Sequence, residues 1–176
     1  MSIQERILRS IADVPDFPRP GIVYKDITPI FQDPHLCRDI LESYRQHYSH
    51  QNIDAVLGME SRGFLFGLPL AMALEVPFIL VRKKGKLPRP SFAVSYAMEY
   101  GESTVEMHKD ALQAGQRVLI HDDVLATGGT ACAAAKLVEM AGARVVGFSF
   151  LSELSFLNGR EVLKPYSEEV FSFVNY

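Results

Sequence analysis

Apolar residues recur at Ile3, Ile7, Leu8 and Ile11, the spacing of a short amphipathic helix. The pattern then breaks. Pro15, Pro18, Pro20, Pro29 and Pro34 rule out a long helix or a central strand over residues 14–34. The same stretch holds Phe17, Ile22, Val23, Tyr24, Ile27, Ile30 and Phe31, too apolar for a solvated linker, so it is expected to form an ordered cap. Helical spacing returns over 35–48, with Leu36, Ile40, Leu41 and Tyr44 on one face. Short apolar runs predict strands at 53–58, 77–81, 145–151 and 170–174, and another beginning at Arg117, while alternation predicts one at 103–107. A helix is predicted over 64–74, where Pro69 must kink it or mark a late start. A second follows over 131–141, with Ala134, Leu137, Val138 and Ala141 inward and Gly142 as its stop. Residues 91–102 alternate only weakly and read as a mobile loop or hairpin. Strands alternating with helices imply βαβ units, hence an α/β fold with a mostly parallel, helix-covered sheet.

Composition narrows the class without naming a chemistry. The 176 residues are 48% hydrophobic and 22% charged, as expected for one soluble domain. A net charge of −3 argues against nucleic acid as a bulk electrostatic partner. Cys37 and Cys132 lack metal-type spacing and are expected to be reduced thiols. The N-terminal residues alternate charged and apolar, unlike a signal peptide, and the apolar run 64–74 is too short to span a bilayer. No membrane association and a cytoplasmic location are therefore expected.

Three stretches carry chemistry. The strand from Arg117 runs into Asp122 and Asp123, then Ala126-Thr127-Gly128-Gly129-Thr130, then the Ala-rich helix. Loop amides and a helix N-terminus attract a phosphate, and carboxylates bind sugar hydroxyls or a metal. Along a strand the two carboxylates point to opposite faces. No Lys follows the glycines, so this is not a triphosphate-binding Walker loop, and a monophosphate is favoured. Gly58-Met59-Glu60-Ser61-Arg62-Gly63 offers amides and a guanidinium to a second anion such as pyrophosphate. It is not a hydrolase elbow, which has one residue between its first Gly and the Ser; here there are two. Arg82, Lys83, Lys84, Lys86 and Arg89 form a basic loop before the tyrosine-containing 95–101, the composition of a cationic lid. None of the five histidines shows ligand spacing, and His121 reads as a hydrogen-bonded core residue rather than a base.

The stretch 118–130 resembles the phosphoribosyl-diphosphate signature of the type I phosphoribosyltransferases. The proline-rich 17–29, Glu60-Ser61-Arg62-Gly63-Phe64, 82–88, Glu99-Tyr100-Gly101 and 108–112 are similar to the adenine-specific branch of that family. The resemblance runs from about residue 15 to residue 163. It implies an open, twisted, mostly parallel sheet flanked by helices in a single domain over 1–176. A small N-terminal hood (approximately 14–34) and a mobile catalytic loop (approximately 83–103) would complete it.

The implied reaction is purine salvage: adenine and 5-phosphoribosyl 1-diphosphate (PRPP) give AMP and diphosphate, with Mg²⁺ carried mainly on the diphosphate rather than by a direct protein ligand. By position, the resemblance assigns the 5′-phosphate to Ala126, Thr127, Gly128, Gly129 and Thr130, and the ribose hydroxyls and growing sugar cation to Asp122 and Asp123. Pyrophosphate falls to Ser61, Arg62 and Gly63, with the Glu60–Ser61 peptide often cis. Arg82, Lys83 and Lys86 assist, Arg82 across a homodimer. Adenine falls to Val23, Lys25 and Leu154, and acid/base work to Glu99 with Tyr100 beside it. His121, usually aliphatic in the family, and Pro69 depart from the pattern. A transferase for guanine, xanthine or orotate, and a non-catalytic PRPP-binding regulator, are the alternative readings.

Overall fold

The computed structural model describes residues 1–98 and 101–176; the expected acid/base residue Glu99 and its neighbour Tyr100 lie outside the described residues. Contacts divide the chain into two compact units, Met1–His47 and Tyr48–Tyr176.

In the first unit, α1 (Ile3–Ser10) starts where Ser2 caps it: the Ser2 hydroxyl accepts from the Glu5 amide at 3.2 Å while the Glu5 carboxylate accepts from the Ser2 amide at 2.8 Å. The proline-rich stretch is ordered, as expected. It forms an antiparallel pair, β1 (Ala12–Pro15) and β2 (Val23–Asp26), then a 3₁₀ turn over Thr28–Gln32. The Phe17–Pro18 peptide is cis, and Phe17 meets Tyr24 edge-on at 5.2 Å. Asp33 then accepts from the amides of His35 (2.9 Å) and Leu36 (3.0 Å), opening α2 (Pro34–Tyr48) with proline at its first position, where no amide partner is lost.

The second unit is built on a seven-stranded sheet. In chain order come β3 (Ala55–Met59), α3 (Gly63–Ala73), β4 (Phe78–Lys83), β5 (Ser91–Met98), β6 (Gly101–His108), β7 (Arg117–Leu125), α4 (Gly129–Met140), β8 (Arg144–Glu153), α5 (Gly159–Leu163) and β9 (Val170–Asn175). Across the sheet the order is β5-β6-β4-β3-β7-β8-β9. Strands β4, β3, β7, β8 and β9 run parallel, and β6 joins β4 antiparallel. Every residue of β3 is buried, as a central parallel strand requires.

Three expectations are refined. Pro69 neither delays nor splits α3, which starts six residues before it. Residues 91–98 and 101–108 form a regular antiparallel hairpin rather than an irregular loop. The sequence pattern also left unmarked the 3₁₀ turn Ser155–Leu157 and the short α5. Helix α3 packs on β3, β4 and β7, and α4 on β5 through β8. The core joins Leu57, Val81, Ile120 and Phe148 to the buried alanine face of α4. Among the described residues, no helix is long and apolar enough to cross a membrane.

Candidate active site

The carboxyl ends of β3 and β7 lie side by side in the sheet, the edge at which open α/β folds bind ligands. Here an open cavity of about 430 Å³ is bordered by the turn after β3 (Glu60, Ser61, Arg62) and by the run from Asp122 to Ala131. Lys83 from the end of β4, Tyr96 from β5 and Phe150 from β8 complete its wall. One cavity thus gathers both phosphate-type loops and both carboxylates. Asp122 and Asp123 both border it, although alternation along β7 directs neighbouring side chains apart.

Glycines set the close approaches. A Cβ on Gly63 would lie 2.8 Å from an Asp122 carboxylate oxygen and 3.0 Å from the His121 carbonyl, so the start of α3 presses directly on β7. Gly128 has φ +82° and caps α4. A Cβ there would stand 2.5 Å from Val162 Cγ2 and 2.8 Å from the Gly159 carbonyl. The 126–128 loop therefore lies against α5 on one side and the cavity on the other. The Glu60–Ser61 peptide is cis.

The charges are paired across the two loops. Arg62 donates from Nε to Asp123, linking the turn after β3 to β7. Burial, reinforced by the neighbouring Asp123 carboxylate, pushes the Asp122 carboxyl well above its ordinary value. Its Oδ1 accepts from the Asp123 amide at 2.9 Å. Glu60 is held below the ordinary carboxylate value chiefly by the Lys83 amide, which donates to it at 2.8 Å, with Arg82 Nε at 3.3 Å assisting. Glu60 thereby ties the cationic strand β4 to the turn after β3. Thr130 donates its hydroxyl to Tyr96 at 3.1 Å, joining the β5–β6 hairpin to the start of α4.

Of the residues expected at the donor site, Ser61, Arg62, Lys83, Asp122, Asp123 and 126–130 border the cavity. Gly63 lies just beneath Asp122. Arg82 and Lys86 are not on the cavity wall: Arg82 turns to Glu60 and, at 3.4 Å, to the Lys86 carbonyl. Leu154 follows β8, its amide donating to the Leu125 carbonyl at 2.8 Å. Val23 and Lys25 lie on β2 in the first unit, where Lys25 pairs with Asp13 at 2.6 Å. Sequence reasoning missed Tyr96 and Phe150 on the wall and Glu60 as organiser. Tyr96 stood inside the tyrosine-containing loop, but Phe150 carried only the signature of a core aromatic.

Comparison with known proteins closes the question of family. The phosphoribosyl transferase domain model matches residues 25–167. An adenine phosphoribosyltransferase of Cytophaga hutchinsonii is 49% identical over 174 residues, covering 99% of this chain and 96% of the relative. This chain belongs to the adenine phosphoribosyltransferase family. A Nocardioides member is 55% identical over 160 residues, covering 89% of this chain and 86% of its own. The family's Rhodothermus marinus crystal structure superposes with a TM-score of 0.92 at 49% identity, covering 99% of this chain and 98% of that one. The Saccharomyces cerevisiae enzyme, solved with adenine and an imino-altritol bisphosphate, gives 0.92 at 40% identity, covering 97% and 98%.

Within this family chain, His121 is a core residue, as its place in an apolar strand suggested. It is 1% exposed, its Nδ1 lies 3.2 Å from Ser149 Oγ, and burial lowers its pKa to about 3. Because the folded value lies below the unfolded one, its contribution is present above pH 6.5 and is lost as pH falls from there towards 3. From pH 7.5 to pH 5 this group alone should remove about 2 kcal/mol of folding stability. Urea unfolding of His121→Val across that range should show a correspondingly shallower acid slope than the parent chain.

Proposed function

We infer that this chain transfers the 5-phosphoribosyl group of PRPP to N9 of adenine, releasing diphosphate and AMP. The observation that carries this reading is the single cavity at the ends of β3 and β7, where a phosphate-type loop, two carboxylates and an anion-binding turn meet in a chain about half identical to named adenine phosphoribosyltransferases.

The parts divide as follows. The amides and hydroxyls of 126–130, at the N-terminus of α4, hold the 5′-phosphate. The bond from the anomeric carbon to the diphosphate oxygen breaks as N9 bonds to that carbon, through an oxocarbenium-like state. Asp122 and Asp123 bind the ribose hydroxyls and stabilise the positive charge that grows there. Ser61, Arg62 and Gly63, with Lys83, take the negative charge of the departing diphosphate; Arg82 and Lys86 assist from the same basic strand and loop. Val23, Lys25 and Leu154 serve the base. Glu99 handles the proton near N7, with Tyr100 beside it on a lid that excludes water.

The carboxylates of Asp122 and Asp123 and the diphosphate itself are hard oxygen donors of the kind Mg²⁺ takes. Beside these carboxylates a bound Mg²⁺ would supply positive charge to offset that of the leaving group. The chain works as a cytoplasmic homodimer in this reading. In support, α3 and β4 expose Leu65, Leu68, Met72 and Leu80, an apolar face that a second copy would cover.

Incubation with adenine, PRPP and Mg²⁺ should form AMP and diphosphate in equal amounts. Folded protein that binds PRPP and forms no AMP would instead make it a regulator.

A further inference from the structure

The ion pair between Glu153 and Arg160 lies off the cavity wall and has no part in the chemistry above. It is nonetheless heavily invested. The Glu153 side chain is 5% exposed and receives Arg160 Nε at 2.8 and 2.9 Å and Nη2 at 2.6 Å. Ser172 donates to the same carboxylate at 3.1 Å, and Arg160 Nη1 donates to the Val170 carbonyl at 2.8 Å. The guanidinium fork thus fastens the end of β8 to the start of α5, and both to β9.

What lies next to each partner gives the pair its meaning. Gly159, one residue before Arg160, is so close to the phosphate-type loop that a Cβ on it would stand 2.3 Å from the Ala126 carbonyl. Val162, on the next turn, presses on Gly128. Leu154, one residue after Glu153, is hydrogen-bonded to Leu125, which borders the cavity. The chain between the two partners turns through Asn158 at φ +53°, so no regular ladder fixes the height of α5 against the loop. The ion pair does.

We propose that Glu153 and Arg160 are positioning residues for the ribosyl transfer, holding the first turn of α5 against the 126–128 loop so that the phosphate end and the base end of the site keep their register. This rests on the reading that 126–130 takes the 5′-phosphate.

Two variants separate positioning from plain stability. Arg160→Lys keeps the charge and loses the fork. The double variant Glu153→Leu with Arg160→Leu leaves no buried charge unpartnered, so its melting temperature should stay near that of the parent. The probe is ribose 5-phosphate alone, by titration calorimetry, beside KM and kcat for PRPP. Both variants should bind the probe on the order of tenfold more weakly, with KM for PRPP raised by a similar factor and kcat changed far less. Parent-like affinity and KM in either variant overturn the proposal, whatever the melting temperature; if the double variant does not fold, Arg160→Lys decides. A parent chain that itself fails to bind ribose 5-phosphate overturns the phosphate assignment and the proposal with it, a result distinct from variants that bind as the parent does.

Discussion

Asp122→Asn is expected to lower kcat on the order of 10²–10³-fold while leaving the melting temperature unchanged or raised. The two effects have one cause. Burial and the Asp123 carboxylate make the ionised form of Asp122 unfavourable in the fold, which is why its pKa is raised. A carboxyl whose folded pKa exceeds its unfolded one supplies stability that is full below the unfolded value and is lost as pH rises through the folded value. The folded site disfavours the charge on Asp122, and asparagine removes that cost. Its amide oxygen can still accept from the Asp123 amide, so the local geometry survives. Lost is the negative charge beside the anomeric carbon, useful only once the sugar becomes cationic. Thermal melts beside steady-state kinetics check both halves. A melting temperature that falls in step with kcat would mean that Asp122 serves the core.

The second large effect is expected at Gly128. Gly128→Ala places a Cβ at a residue with φ +82°, costing about 1–2 kcal/mol for the left-handed backbone alone. That Cβ also meets Val162 at 2.5 Å and the Gly159 carbonyl at 2.8 Å, and the carbonyl belongs to backbone that cannot rotate away. The loop must move towards the cavity, and displacing groups that bind substrate by about 1 Å costs on the order of 100-fold in kcat/KM. Its neighbour is the control. Gly129 is the first residue of α4, where a Cβ would find Tyr96 at an ordinary 3.4 Å. Gly129→Ala should therefore fold at least as stably as the parent, since alanine is the better helix former. Denaturant melts of both variants, with kinetics in PRPP, would show whether the two adjacent glycines differ in this way.

Much of this was legible from local pattern. β7 and α4 announced themselves by an apolar run, two carboxylates and a glycine–threonine loop, because each signal arises within a few residues. One cavity is lined by the residues those motifs named. Contacts between distant segments were not legible. Nothing local about Gly159 says that it must sit against Ala126, and nothing about Glu153 says that Arg160 will close over it. Tyr96 was hidden for a related reason. Its stretch alternates weakly, so hairpin and loop were equally consistent, and only the β5–β6 register turns its hydroxyl towards Thr130. Pro69 left two choices open by rule, a kink or a late start, and a helix that begins at Gly63 and continues through it excludes the late start.

Transfer to adenine rather than to another base is decided by a panel of bases. Adenine, hypoxanthine, guanine, xanthine and orotate would each be offered with PRPP and Mg²⁺, and nucleotide formation followed. Adenine should be converted to AMP with kcat/KM on the order of 10³-fold or more above any other base, since a site that hydrogen-bonds one base edge leaves polar groups unpaired with another. Preference for a different base, or no nucleotide from any of them, would contradict it.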